Sequence, residues 1–150
     1  MEIKPIEILL VEDNPGDVRL MMEALTFGKV FNKISVVGNG KDAMDFLRRK
    51  GKYANAVRPD IMLLDLNLPN MDGREVLQEV KSERKLKNIP IIVLTTSQEK
   101  QDIATSYEKQ ANCYITKPVD FEEFVRVVKS LDNFWFSIVK LPPRGDVKWN

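Results

Sequence analysis

This chain has no histidine. The absence removes Ser-His-Asp and Cys-His catalytic triads and the commonest transition-metal ligand together. Cysteine is nearly missing too: the single Cys113 allows neither a disulfide framework nor a cysteine zinc site, and a buried, inert thiol is the expectation for it. No apolar run approaches the ~20 residues that a membrane span needs. The N-terminal MEIKPIEILLVED turns acidic without a signal-peptide cleavage pattern, so a cytoplasmic protein away from membranes is expected. Net charge is lacking as well, since 23 basic side chains against 22 acidic ones leave a formal +1. A global pull towards nucleic acid is therefore not indicated. The chemistry left to this chain uses carboxylates, lysine and hydroxyls.

What is present is a core. With 150 residues, 43% of them hydrophobic, the chain suits one domain over 1–150, with a core of about 6–139 and a polar tail at 140–150. A second folded output domain has no room in it. Five short apolar runs, Ile6–Val11, Ile34–Val37, Ile61–Leu64, Ile91–Leu94 and Cys113–Thr116, alternate with segments of helical period. That is the pattern of a parallel sheet with helices on both faces, here (βα)5. Val18, Met21, Met22 and Leu25 form one apolar stripe, and Val76, Leu77 and Val80 another. Helix starts are signalled at Asn14-Pro15, and by capping boxes at Thr96–Glu99 and Asp120–Glu123. Gly51–Pro59 and Pro69–Gly73 are the clearest loops, and Pro142-Pro143 should stop the last helix.

In an open parallel α/β sheet, ligands bind beyond the carboxyl ends of the strands. The residues that close the apolar runs are Glu12-Asp13, Asp65, Thr95 and Lys117. Three acids gathered there repel one another and resist desolvation unless positive charge compensates them, and a bound cation with the Lys117 ammonium would supply it. Magnesium suits such a set, because it combines one or two carboxylates with water and a phosphate oxygen; manganese could stand in its place. Asp65 would be the nucleophile of an acyl phosphate, with Thr95 and Lys117 against the phosphoryl oxygens. Each residue alone has an ordinary reading: Asp13 as a helix cap, Thr95 as a turn residue, Lys117 as a solvated charge. The ordered set is what points to phosphoryl chemistry.

On the strings ILLVEDNP, IMLLDLNLPNMDG, IPIIVLTTS and YITKP, the chain from roughly Glu7 to Leu131 resembles a response-regulator receiver domain. The resemblance implies a flavodoxin-like, doubly wound, five-stranded parallel sheet of strand order 2-1-3-4-5. It implies Asp65 as the phosphorylation site, Glu12 and Asp13 as the metal-binding pair, and the backbone carbonyl of Asn67 as a further ligand. It also implies Thr95 and Tyr114 as switch residues and a cis peptide at Lys117-Pro118. One departure is Gln110-Ala111, where the family often has Gly-Ala. A narrower likeness, in ANCYITKPVDFEEF and DNFWFSIVKLPP, is to the small stand-alone regulators that work with cyanobacterial and other bacterial phytochromes.

Without histidine the chain cannot make a phosphohistidine, so the phosphoryl group must come from a separate kinase. The resemblance implies a histidine kinase, of the phytochrome type on the narrower likeness. The expected role is a signalling phospho-acceptor that assists only its own phosphorylation and dephosphorylation. One rival is a magnesium-dependent phosphohydrolase, which would carry Asp-x-Asp after the first strand, where this chain has Val11-Glu12-Asp13-Asn14-Pro15. Another is an unphosphorylated interaction module. Finally, Phe121, Phe124, Val125, Val128, Leu131, Trp135 and Ile138 can line one face of the last helix. Val127, Phe134 and Phe136 are then left on other faces and need cover, either from the tail Val139–Trp149 folded back or, the favoured reading, from a homodimer through the fourth and fifth helices.

Overall fold

The computed structural model describes residues 5–26, 32–69, 71–95 and 113–117, together with 122–123 and 126. The Thr96–Glu99 capping box, residues 120–121 of the second box, Pro118, Val127, Phe134 and Phe136 lie outside the described residues, as do the side chains of Thr95, Cys113 and Tyr114. Five strands are present: β1 (Ile6–Val11), β2 (Asn32–Val37), β3 (Ile61–Asp65), β4 (Ile91–Thr95) and β5 (Cys113–Thr116). Among the described residues three helices lie between them, α1 (Pro15–Thr26), α2 (Gly40–Arg48) and α3 (Gly73–Ser82), with a 3-10 turn at Gly51–Tyr53. All strand pairs are parallel, in the order β2-β1-β3-β4-β5. This is the doubly wound α/β sheet anticipated from the alternating apolar runs.

The runs fall where expected, with differences at their ends. β2 begins two residues earlier, because Asn32 and Lys33 pair with Ile6 and Glu7 although neither is apolar. β3 and β4 each take in one polar residue, Asp65 and Thr95, since backbone pairing continues past the last buried aliphatic.

Alternation along the strands divides the core in two. Leu9, Val11, Met62, Leu64, Ile91 and Val93 pack under α2 and α3, against Met44, Val76, Leu77 and Val80. Ile8, Leu10, Ile61, Leu63, Ile92, Leu94 and Ile115 face the other way, towards Met21 and Leu25 of α1. The α3 stripe is wholly buried, as its spacing predicts. In α1 the stripe is narrower than its sequence suggests: Met22 is 40% exposed. Met21 and Leu25, four residues apart, share the buried face, and Met22, about 100° further round, lies at its margin.

Capping fixes where the helices start. Asn14 opens α1, its Oδ1 accepting from the Asp17 amide at 3.1 Å. Asn39 caps α2 by accepting from the Asp42 amide at 2.8 Å, and Asp72 caps α3 through the Arg74 amide at 2.7 Å. Arg48 ties α2 to α3, reaching Glu79 at 3.2 Å and Glu83 at 2.5 Å.

Candidate functional site

The last aliphatic residues of β1 and β3 are neighbours, Val11 opposite Leu64, so Glu12 emerges beside Asp65. Both carboxylates are nearly sealed, at 3% and 4% exposure. Backbone amides hold each in place: Asn14 N donates to Glu12 Oε2 at 3.2 Å, and Asn67 N donates to Asp65 Oδ1 at 3.1 Å. Asp13 is exposed next to them. One oxygen from each of Glu12, Asp13 and Asp65 can be chosen so that all three lie within 4.8 Å of one another.

Lys117 follows β5 and reaches back across β4. Its Nζ stands 2.5 Å from Glu12 Oε1 and 3.2 Å from Asp65 Oδ2. It also donates to Asp17 Oδ2 at 3.1 Å, from the first turn of α1. Three carboxylates therefore meet one ammonium. Burial pushes the Glu12 carboxyl up to about 7; Lys117 and the Asn14 amide draw it down, and Asp65 drives it up again. Burial lowers the Lys117 ammonium, but Glu12, Asp65 and Asp17 outweigh that and hold it above its ordinary value.

Such an arrangement has one cation too few. Glu12 Oε1 is buried with no aligned hydrogen-bond donor among the described residues, the lysine contact being an ion pair alone. An orphaned buried oxygen beside two further carboxylates, all hard donors, fits magnesium or manganese. The competing view of Asp13 as a helix cap is not favoured, because Asn14 caps α1.

The structure thus brings together Glu12, Asp13, Asp65 and Lys117, and sets Asn67 beside the Asp65 carboxylate. Thr95 ends β4 one residue past Leu94, the partner of Asp65, and Tyr114 lies on β5 opposite Val93. The Lys117-Pro118 peptide lies outside the described residues. Sequence reasoning missed Asp17. Its signal was position: it lies in the first turn of the helix that leaves the acidic edge, where its carboxylate faces the same lysine.

The fold and this acidic edge define a class of protein. Residues 8–129 match the response regulator receiver domain, and the chain belongs to that family. Within it, the chain is similar to response regulator Rcp1 of Synechocystis sp., 44% identical over 138 residues that cover 92% of this chain and 94% of that protein. The crystal structure of the Mn(2+)-bound form of Rcp1 superposes with a TM-score of 0.75 over 93% of this chain and all of that one. The phosphorylated cyanobacterial phytochrome response regulator RcpA is 48% identical, with a TM-score of 0.76 over 93% of this chain and 100% of its own. The bacteriophytochrome response regulator RtBRR is 42% identical, with a TM-score of 0.81 over 95% of this chain and 86% of its own. No described helix is long and apolar enough to cross a membrane.

Proposed function

We propose that the chain is a phospho-acceptor switch in which Asp65 takes a phosphoryl group from a partner histidine kinase and the charged state is read by protein contact. The observation that carries this is the sealed Asp65 carboxylate, within 4.8 Å of two other acids and 3.2 Å from the Lys117 ammonium. An Asp65 oxygen attacks phosphorus, the bond from phosphorus to the kinase imidazole breaks, and the imidazole nitrogen keeps the electron pair. Glu12, Asp13 and Asp65 would hold magnesium, with the Asn67 carbonyl as a further ligand. When bound, the ion neutralises charge on the phosphoryl oxygens. Lys117 gives the acyl phosphate an ammonium partner, and Thr95 supplies a hydroxyl to it. The new dianion contacts Thr95 and Lys117 differently in two pre-existing states and so shifts their populations, and Tyr114 follows the state of Thr95.

The likeness to phytochrome regulators supports a light-sensing kinase as the partner. The reading extends to a single domain over residues 1–150, a cytoplasmic location, a cis Lys117-Pro118 peptide, and a homodimer through Val127, Phe134 and Phe136 that involves no nucleic acid. The deciding experiment is incubation with magnesium and acetyl phosphate, followed by intact mass. The wild type should gain one hydroxylamine-sensitive phosphoryl group and Asp65→Asn none; equal labelling of the two would refute Asp65 as the acceptor.

A further inference from the structure

A lysine ammonium has three N–H donors and no acceptor. At Lys117 three carboxylates converge on that ammonium, and only Glu12 and Asp65 belong to the acceptor and cation set. The third, Asp17, comes from α1 and has no counterpart role in the phosphoryl chemistry described above. We infer that Asp17 is a placeholder for the phosphoryl group, holding one donor of Lys117 in the unmodified protein and releasing it to the acyl phosphate. This rests on the reading of Asp65 as the phospho-acceptor.

Three features single out Asp17 as the exchangeable partner. Its side chain is 34% exposed, against 2% for Glu12 and 5% for Asp65, so it alone recovers hydration on release. Its backbone is fixed independently, through Asn14 Oδ1 at 3.1 Å, so the carboxylate can turn away without moving α1. Leu10, Leu20, Met21 and Leu94 wall the small cleft that it shares with Lys117 and Glu12, a cavity of about 10 Å³, roughly one water. Release therefore needs a side-chain rotation and no opening of the core. Asp17 takes no part in the covalent step. It competes for Lys117 as an anion of the same chemistry as the incoming oxygens, and so is a positioning residue that sets how readily the lysine turns.

The test uses beryllofluoride as the phosphoryl mimic, titrated calorimetrically against wild type, Asp17→Asn, Asp17→Ser, Asp17→Glu and Asp65→Asn at magnesium concentrations that saturate every variant. Asp17→Asn and Asp17→Ser should bind about two- to fivefold more tightly than wild type, the range expected for losing one partly exposed competing ion pair. Asp17→Glu, which keeps the charge, should return towards the wild-type affinity. The gain should shrink as salt is raised, because the pair that is lost is screened, whereas a packing defect would weaken binding at every ionic strength. Unchanged or weaker binding by both neutral variants, with wild type binding normally, would overturn the placeholder. Failure of wild type itself to bind, matching Asp65→Asn, would overturn the acceptor reading and the inference with it.

Discussion

Gly73 is the first residue of α3 and lies against the segment that carries Asp65. A Cβ placed there would stand 2.6 Å from Leu66 Cα and 3.0 Å from Leu66 O, and would press on the Asp65 carbonyl oxygen. Carbon atoms settle at about 3.5–4.0 Å, so Gly73→Ala must displace Leu66 Cα by about 1 Å. The atoms it meets are all backbone, and the same stretch is fastened to Gly73 by a hydrogen bond from its amide to Leu66 O at 3.1 Å. No rotamer change relieves the clash. Overpacking of this kind costs about 1–3 kcal/mol, and alanine's helix propensity offsets at most about 1 kcal/mol. The expected net loss is about 1–2 kcal/mol in urea unfolding. Function should suffer more than stability, because Asp65 Oδ1 is oriented by the Asn67 amide two residues along that displaced segment. A shift of about 1 Å at a reacting group can cost about 100-fold in rate, read here as the initial rate of labelling by acetyl phosphate. Gly38→Ala is the control, since nothing lies within 4 Å of its added Cβ and its φ is not positive. If Gly73→Ala matched Gly38→Ala in urea and labelled at the wild-type rate, the close approach would have no bearing on the acceptor.

Asp13→Asn should weaken magnesium binding by at least about tenfold in calorimetric titration, since even outer-sphere changes have effects of that size; an unchanged affinity would place the ion elsewhere. Lys117→Ala removes the one cation within ion-pair distance of Glu12 and Asp65 among the described residues. It should lower stability by up to about 3 kcal/mol without magnesium and recover most of it when magnesium is added; a melting temperature indifferent to both changes would contradict the charge balance drawn above. Asp60 gives a pH signature away from the site: burial pushes its carboxyl up to about 6, the Glu7 amide hydrogen bond at 2.8 Å draws it down, Glu7 raises it and Arg58 lowers it. Its folded value lies above its unfolded one, so the folded state binds more protons between about pH 4 and 6 and stability falls as pH rises through that window. After discounting for partial exposure the fall is about 1–2 kcal/mol. Asp60→Asn should flatten it in urea midpoints, and an identical profile in the variant would assign the slope to another group.

How much of this was legible beforehand depended on what kind of signal each residue carried. Buried strands announce themselves because β1 and β3 are covered on both faces and read as nearly continuous apolar runs, with Glu7 the one interruption before Val11. β2 was cut short because it sits at the sheet edge, where Asn32 and Lys33 pair through backbone alone and need not be apolar. The acids at the strand ends were visible as an ordered set, and Lys117 with them. Asp17 was not, since an aspartate in a first helical turn is most simply explained by the helix dipole. Gly73 was read only as part of a turn. What makes it matter is a tertiary approach to Leu66, and no periodicity encodes a contact between backbones.

Register explains why a sheet is the right support for this chemistry. Ile8 and Leu10 on β1, Ile61 and Leu63 on β3, and Ile115 on β5 all face α1. Continuing the two-residue period puts Glu12, Asp65 and Lys117 on that same side, the side from which α1 presents Asp17. The pairings Val11 with Leu64 and Asp65 with Leu94 bring Glu12 level with Asp65, while Thr95 opposite Thr116 sends Lys117 further out, so that its long stem folds back over β4. A one-residue slip of β1 against β3 would turn Glu12 towards α2 and α3 and expose Ile8 and Leu10 to the wrong layer. The wholly buried aliphatics behind the acids forbid that slip. The two core layers therefore do more than stabilise the fold: by fixing register they hold two like charges side by side at the sheet edge, a repulsive arrangement that a looser scaffold would relieve by moving apart.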